Sequence, residues 1–174
     1  TRNGIQELKL YFDSRGKDGR APGCKPKSVS GKGGGNGIAM KIAPLALMTY
    51  ADDCFDNTYY QSYVYDLGKL THSESFAYTS AEVLYLSILY ALSESHDKNP
   101  INQFRAIAEK FSDKWCYDYL ITDQLNLLNN SLDIFLTKPI EYCIKHLGNS
   151  CLAYESVMLA IAISLRHPYD FEAG

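Results

Sequence analysis

Phe76-Ala-Tyr-Thr-Ser-Ala-Glu-Val-Leu-Tyr-Leu-Ser-Ile-Leu-Tyr-Ala-Leu92 holds a single charged side chain, Glu82, in an otherwise apolar and small-residue run. Within it Ala77, Ala81, Leu84, Ile88 and Leu92 recur at the 3.6-residue spacing of an α-helix, which places them on one face. Thr71 followed by Glu74 has the form of a capping box just ahead of it. The same periodicity extends outward on both sides. Residues 59–70 form a second candidate helix, and residues 38–50 a third with Pro44 inside it. Proline has no amide proton to give, so that helix begins near Pro44 or kinks there. Downstream, residues 102–111 alternate charged and apolar positions behind Pro100. Residues 117–136 read as helical despite Asn126, Asn129 and Asn130. Residues 139–147 and 152–165 follow, divided by the stop signal Gly148-Asn149. Residues 1–20 scatter Ile5, Leu8, Leu10, Tyr11 and Phe12 among charges, the pattern of one short helix. No hairpin dipeptide with alternating flanks occurs after residue 37, and no repeat is evident. The pattern predicts an all-α, multi-helix fold.

Composition sets the bounds around that reading. The chain has 174 residues, 46% hydrophobic and 21% charged, enough for a single domain with its own core. Seventeen basic against twenty acidic residues leave a net charge of −3. No basic cluster marks a nucleic-acid footprint, and the unbroken apolar stretches, such as residues 157–163, fall short of a membrane span. Cys24, Cys54, Cys116, Cys143 and Cys151 are odd in number and irregular in spacing, without a C-x-x-C. They read as reduced thiols of a cytoplasmic protein. The chain starts at Thr1 without methionine and stops at Gly174 just after a helix-like run, so a processed chain or a piece of a longer one is expected.

The sharpest local feature lies before the helices. Residues 16–37 hold eight glycines and two prolines, a long loop rather than an element. It ends in Gly31-Lys-Gly-Gly-Gly-Asn-Gly37 and runs into Ile38-Ala-Met-Lys41. Bare backbone amides at a helix start make an anion site, to which Lys32 and Lys41 can add charge. A flexible linker is the plainer reading of the same composition. Neither familiar phosphate fingerprint fits, because glycine follows Lys32 and no G-x-G-x-x-G frame is present.

Gly35-Asn-Gly-Ile-Ala-Met-Lys-Ile-Ala-Pro44 resembles the G-N-G-x-A-M-R-x-A-P signature of the ADP-ribosylglycohydrolase family. A helix-length interval later, Leu70-Thr-His-Ser73 is similar to that family's L-T-H-S segment, again opening a helix. Tyr154-Glu-Ser with Ala160, and Asp170-Phe-Glu172, resemble its penultimate helix and the D-F-x-x-A segment after it. The resemblance spans roughly residues 20–174. It implies an all-α hydrolase that cleaves the glycosidic bond between ADP-ribose and a modified protein side chain or small acceptor, usually with a pair of magnesium ions. It further implies that Gly33, Gly34, Gly35, Asn36 and Gly37 wrap the diphosphate and ribose. His72 would donate a hydrogen bond beside the nucleotide or ribose; the alternative is a histidine in the first turn of its helix with local contacts only.

The chain also departs from the family pattern. Lys41 stands where the signature has arginine and loses any bidentate geometry. Gly33 and Gly34 replace the serine and aromatic residue that often precede G-N-G, which leaves contacts from those side chains unmade. The family's magnesium carboxylates sit in T-D-D-T and G-G-D-x-D-T segments, and neither occurs here. Asp52, Asp53 and Asp56 match neither in position and read as solvated loop acids. The expectation is a partial ADP-ribosylglycohydrolase-like domain over residues 1–174 that supplies the ADP-ribose-binding loop, with its magnesium ligands outside the chain. A non-catalytic ADP-ribose-binding or structural protein is the alternative. His96, His146 and His167 show no ligand spacing, and Cys116 between Trp115 and Tyr117 reads as filler. Tyr50, Tyr59, Tyr60, Tyr63 and Tyr65 suggest an aromatic helix face for packing, since no basic residues interleave as base stacking would need.

Overall fold

A computed structural model of the chain describes residues 33–51, 58–92, 99–114, 119–170 and 172–173. The expected helix in residues 1–20 and the loop up to residue 32 lie outside these. So do Asp52, Asp53, Asp56, Cys24, Cys54, Cys116, His96, Trp115 and Tyr117, and the side chains of Tyr59 and Tyr60. A 3-10 turn at Ala39–Lys41 leads into α1 (Ala43–Ala51), followed by α2 (Thr58–Thr71), α3 (Ser75–Leu92) and α4 (Pro100–Lys114). Then come α5 (Tyr119–Asn130), α6 (Leu132–Thr137), α7 (Ile140–Leu147) and α8 (Ala153–Arg166). Among the described residues the extended structure is one isolated antiparallel bridge, Gly35 to Leu152. The fold is all-α, as the periodicity predicts.

Pro44 sits in the first turn of α1, where a missing amide proton costs nothing. The long helix expected over residues 117–136 is instead two. Ser131 leaves helical geometry at φ −114° and ψ 19°, and its carbonyl accepts from Ile134 and Phe135 to start α6. Asn129 and Asn130, poor helix formers, immediately precede that break. Lys138, ahead of Pro139, is pushed to extended backbone at ψ 158°, which ends α6. Gly148 closes α7 at φ 84°, a conformation that side-chain-bearing residues avoid, so the Gly148-Asn149 stop acts as expected.

The capping box expected at Thr71 and Glu74 does not form. Thr71 is the last residue of α2, α3 begins at Ser75, and the Thr71 hydroxyl pairs instead with the ring of His72. Residues 72–74 are thus a tight connection between two helices.

Two helices organise the core. α3 packs against α1, α2, α4 and α8; α8 packs against α3, α5, α6 and α7. Surrounded in this way, α3 buries Thr79, Ser80, Glu82, Val83, Tyr85, Leu86 and Leu89 along with Ala77 and Ala81, while Leu84, Ile88 and Leu92 of the predicted face are half-buried. The Thr79 and Ser80 hydroxyls return to the preceding turn, Thr79 to the Ser75 carbonyl and Ser80 to that of Phe76, while the Tyr85 hydroxyl pairs with that of Thr49 on α1. By length and composition α3 also reaches what a membrane span needs, beyond the expectation from its unbroken apolar runs; half of it is buried among the other helices. Tyr65 on α2 packs on Tyr78 of α3 with ring centroids 4.5 Å apart, so at that point the tyrosine face is a helix-packing face.

Candidate functional site at the glycine loop

Residues 33–37 cross the ends of three elements. Phe76 near the start of α3 meets Tyr154 near the start of α8, rings edge-on at 5.3 Å and 86°. Further along, Leu84 and Ile88 of α3 share a groove with Ile161 and Leu165 of α8. The two helices therefore run side by side in the same direction, and both N-termini face the loop. Their dipoles add partial positive charge there.

The loop is pinned on two sides. On one, the Gly33 amide donates to the Ser73 hydroxyl at 3.1 Å. On the other, the Asn36 amide donates to the Cys151 carbonyl at 2.9 Å, and the Ala153 amide donates to the Gly34 carbonyl at 3.0 Å. That last bond satisfies one of the first-turn donors of α8. The connection from α7 to α8 is itself ordered: the Glu155 carboxylate accepts from the Ser150 amide, and the Ser150 hydroxyl from the Leu152 amide.

The glycines divide into two kinds. A side chain at Gly34 would sit 2.4 Å from the Phe76 ring, and one at Gly33 would sit 3.0 Å from the His72 backbone. Those two glycines permit close approach within the fold. At Gly35 the nearest atom to an added methyl is the Cys151 carbonyl at 3.6 Å, and at Gly37 it is the His72 ring at 3.5 Å. Both are ordinary contacts, and among the described residues the one glycine at positive φ is Gly148. Neither packing nor backbone conformation among the described residues asks for glycine at 35 or 37. The amides of Gly35 and Gly37 have no acceptor among the described residues, and the half-buried Asn36 carboxamide has no partner there.

His72 lies in the connection rather than in the first turn of α3. It is 8% exposed, its Nδ1 pairs with the Thr71 hydroxyl at 2.8 Å, and its amide donates to the Gly68 carbonyl. Gly68 lets α2 approach α3 closely, because a side chain there would meet Tyr78 at 2.4 Å. The His72 ring faces Gly37, and the Gly35 backbone favours its protonated form. Burial, and then the Lys41 ammonium, hold the imidazole below its usual pKa and so neutral near pH 7.

All six predicted site residues are therefore brought together. Ser73, Phe76, Cys151 and Tyr154 shape the loop from behind; Ser73 and Tyr154 lie inside the family-like motifs, whereas Phe76 and Cys151 carry no such signal in the sequence. At the other end of the third motif, the Asp170 carboxylate accepts the Ala173 amide in a local turn. No three His, Cys, Asp or Glu side chains gather to hold a metal ion among the described residues. Those residues do not fit the magnesium pair that the resemblance implies.

No curated protein and no solved structure matches the chain. A family model does, the one described as ADP-ribosylglycohydrolase, and it matches residues 1–174. With the glycine signature and the histidine segment folded against each other in an all-α frame, the chain belongs to the ADP-ribosylglycohydrolase family.

Proposed function

We propose that this chain binds ADP-ribose through residues 33–37 and serves the hydrolysis of a glycosidic bond from ADP-ribose to a protein side chain or small acceptor. The observation that carries the reading is the pair Gly35 and Gly37. Glycine is required there by nothing in the described fold, and a bare backbone is what a diphosphate needs in order to approach amide donors closely. Two parallel helix N-termini behind the loop favour the same negative charge. Asn36 offers a carboxamide to a ribose hydroxyl or phosphate oxygen. His72, neutral, paired with Thr71 and packed against Gly37, supports the loop and has only a small exposed edge for a ribose contact.

The test is calorimetric titration with ADP-ribose of the protein and of Gly35→Ala and Asn36→Ala. The methyl at 35 meets ordinary space, so Gly35→Ala is expected to keep its melting temperature while losing roughly tenfold or more in affinity, the loss of about 1.4 kcal/mol of contact. Absence of binding, or equal binding by all three proteins, sinks the reading. Release of ADP-ribose from a modified peptide in the presence of magnesium separates the hydrolase from the alternative. Binding without release would leave a non-catalytic ADP-ribose-binding protein of the same fold.

A further inference from the structure

We propose that His72 makes ligand binding on the glycine loop pH-dependent: residues 33–37 take a diphosphate more tightly when the imidazole beneath them carries a proton. The inference rests on reading that loop as the diphosphate site, and it concerns the regulation of the same site. Its basis is placement. The ring is 8% exposed and lies against Gly37, so a charge placed on it lies directly under the amides that would hold the phosphates. Protonation keeps the Nδ1 partner, since the Thr71 hydroxyl can accept as well as donate. Protonation therefore adds charge without tearing the loop from its support.

Of the charged side chains on the surrounding elements, Lys41 on the 3-10 turn acts on the imidazole. Asp66 and Lys69 lie on α2, Glu74 before α3 and Glu155 on α8, the last turned to the Ser150 amide. In the free site, burial and then the Lys41 ammonium both disfavour the imidazolium. A bound diphosphate supplies negative charge, offsets Lys41 and favours the imidazolium. By linkage, a ligand that raises the proton affinity of His72 binds more tightly where that proton is present. ADP-ribose has no titrating group of its own near neutrality, because each of its phosphates carries a single strongly acidic hydroxyl.

The experiment is titration of the protein with ADP-ribose between about pH 5 and pH 8, in buffers of different ionisation enthalpy. Affinity should rise on acidification by up to about tenfold per pH unit, the limit for one linked proton, with a fraction of a proton taken up per ligand. His72→Gln, which keeps a donor and an acceptor, should abolish both the slope and the uptake. In the unsubstituted protein, the His72 ring resonance should titrate at higher pH with ADP-ribose bound than without, a readout that does not depend on the variant folding. ADP-ribose binding with no proton uptake and an unmoved His72 titration overturns this proposal while leaving the binding site standing. No binding at any pH overturns both.

Discussion

At their N-terminal ends α3 and α8 meet residues 33–37 through backbone hydrogen bonds and two glycines that allow contact. Toward their C-terminal ends the same helices, with α4, line a groove of about 270 Å3 walled by Leu84, Ile88, Phe104, Ile107, Ile161 and Leu165. In that groove the Ser87 and Ser164 hydroxyls turn back to the carbonyls of Val83 and Ala160 in their own helices. One end leaves amides and a carboxamide for something to bind; the other satisfies these hydroxyls internally and presents carbon. The difference follows from helix chemistry, since N-termini carry spare donors and partial positive charge whereas the middle of a helix has none to spare. A single pair of parallel helices can therefore anchor a polar site at one end and a packing core along the rest.

The contrast makes stability and affinity separable, and the largest effect should come from the apolar end. Phe104, 3% exposed on α4, should cost about 3–5 kcal/mol as Phe104→Ala by urea unfolding, with ADP-ribose affinity of the folded protein unchanged. A parallel loss of affinity would break the separation of the two ends.

Gly148→Ala should cost about 1–3 kcal/mol, since φ 84° with ψ 167° is open essentially to glycine alone. The added methyl would also crowd the Glu155 carboxylate, which orders the connection holding the loop. Affinity is therefore expected to fall along with stability, in contrast to Phe104→Ala.

Gly34→Ala sharpens the comparison inside the loop itself. Its methyl drives into the Phe76 ring and should destabilise by about 1–3 kcal/mol, whereas Gly35→Ala should stay within about 0.5 kcal/mol of the parent. Shortening the opposing side chain tests the cause. The double variant Gly34→Ala with Phe76→Leu should unfold later than the sum of the single changes predicts.

The smallest effect is the pH dependence of stability without ligand. His72 is held below its ordinary value of 6.5 by burial and then by Lys41, so between the two values the unfolded chain binds the proton more readily than the folded one. Its contribution is fully present above pH 6.5 and is lost as pH falls through the folded value. The melting temperature should drop on acidification through that window, and the drop should be shallower in His72→Gln.

Much of this architecture was legible as spacing. Helices at residues 58–71, 75–92, 140–147 and 153–166 lie within about two residues of their periodic patterns, because burying one side of a helix imposes a local repeat that survives in sequence. The break at Ser131 was not legible, since asparagines weaken a helix without saying where it ends. The capping box failed for a related reason: Thr71 had a competing partner in the adjacent His72 ring, and a motif read from spacing does not weigh competitors.

By itself, then, the sequence determined the all-α class, the glycine run at the head of the helices, and the family to which the motif pair belongs. What the tertiary structure alone decided is which glycine does what. Gly33 and Gly34 are occupied by close packing, Gly35 and Gly37 are open, and His72 lies beneath the loop instead of opening a helix. The partners that make this so, Phe76 and Ala153 in helices and Cys151 in the connection before α8, lie far away in the chain. Periodicity reports which residues share a face, but the space beside a glycine depends on which other element is stacked there, and no local spacing encodes that.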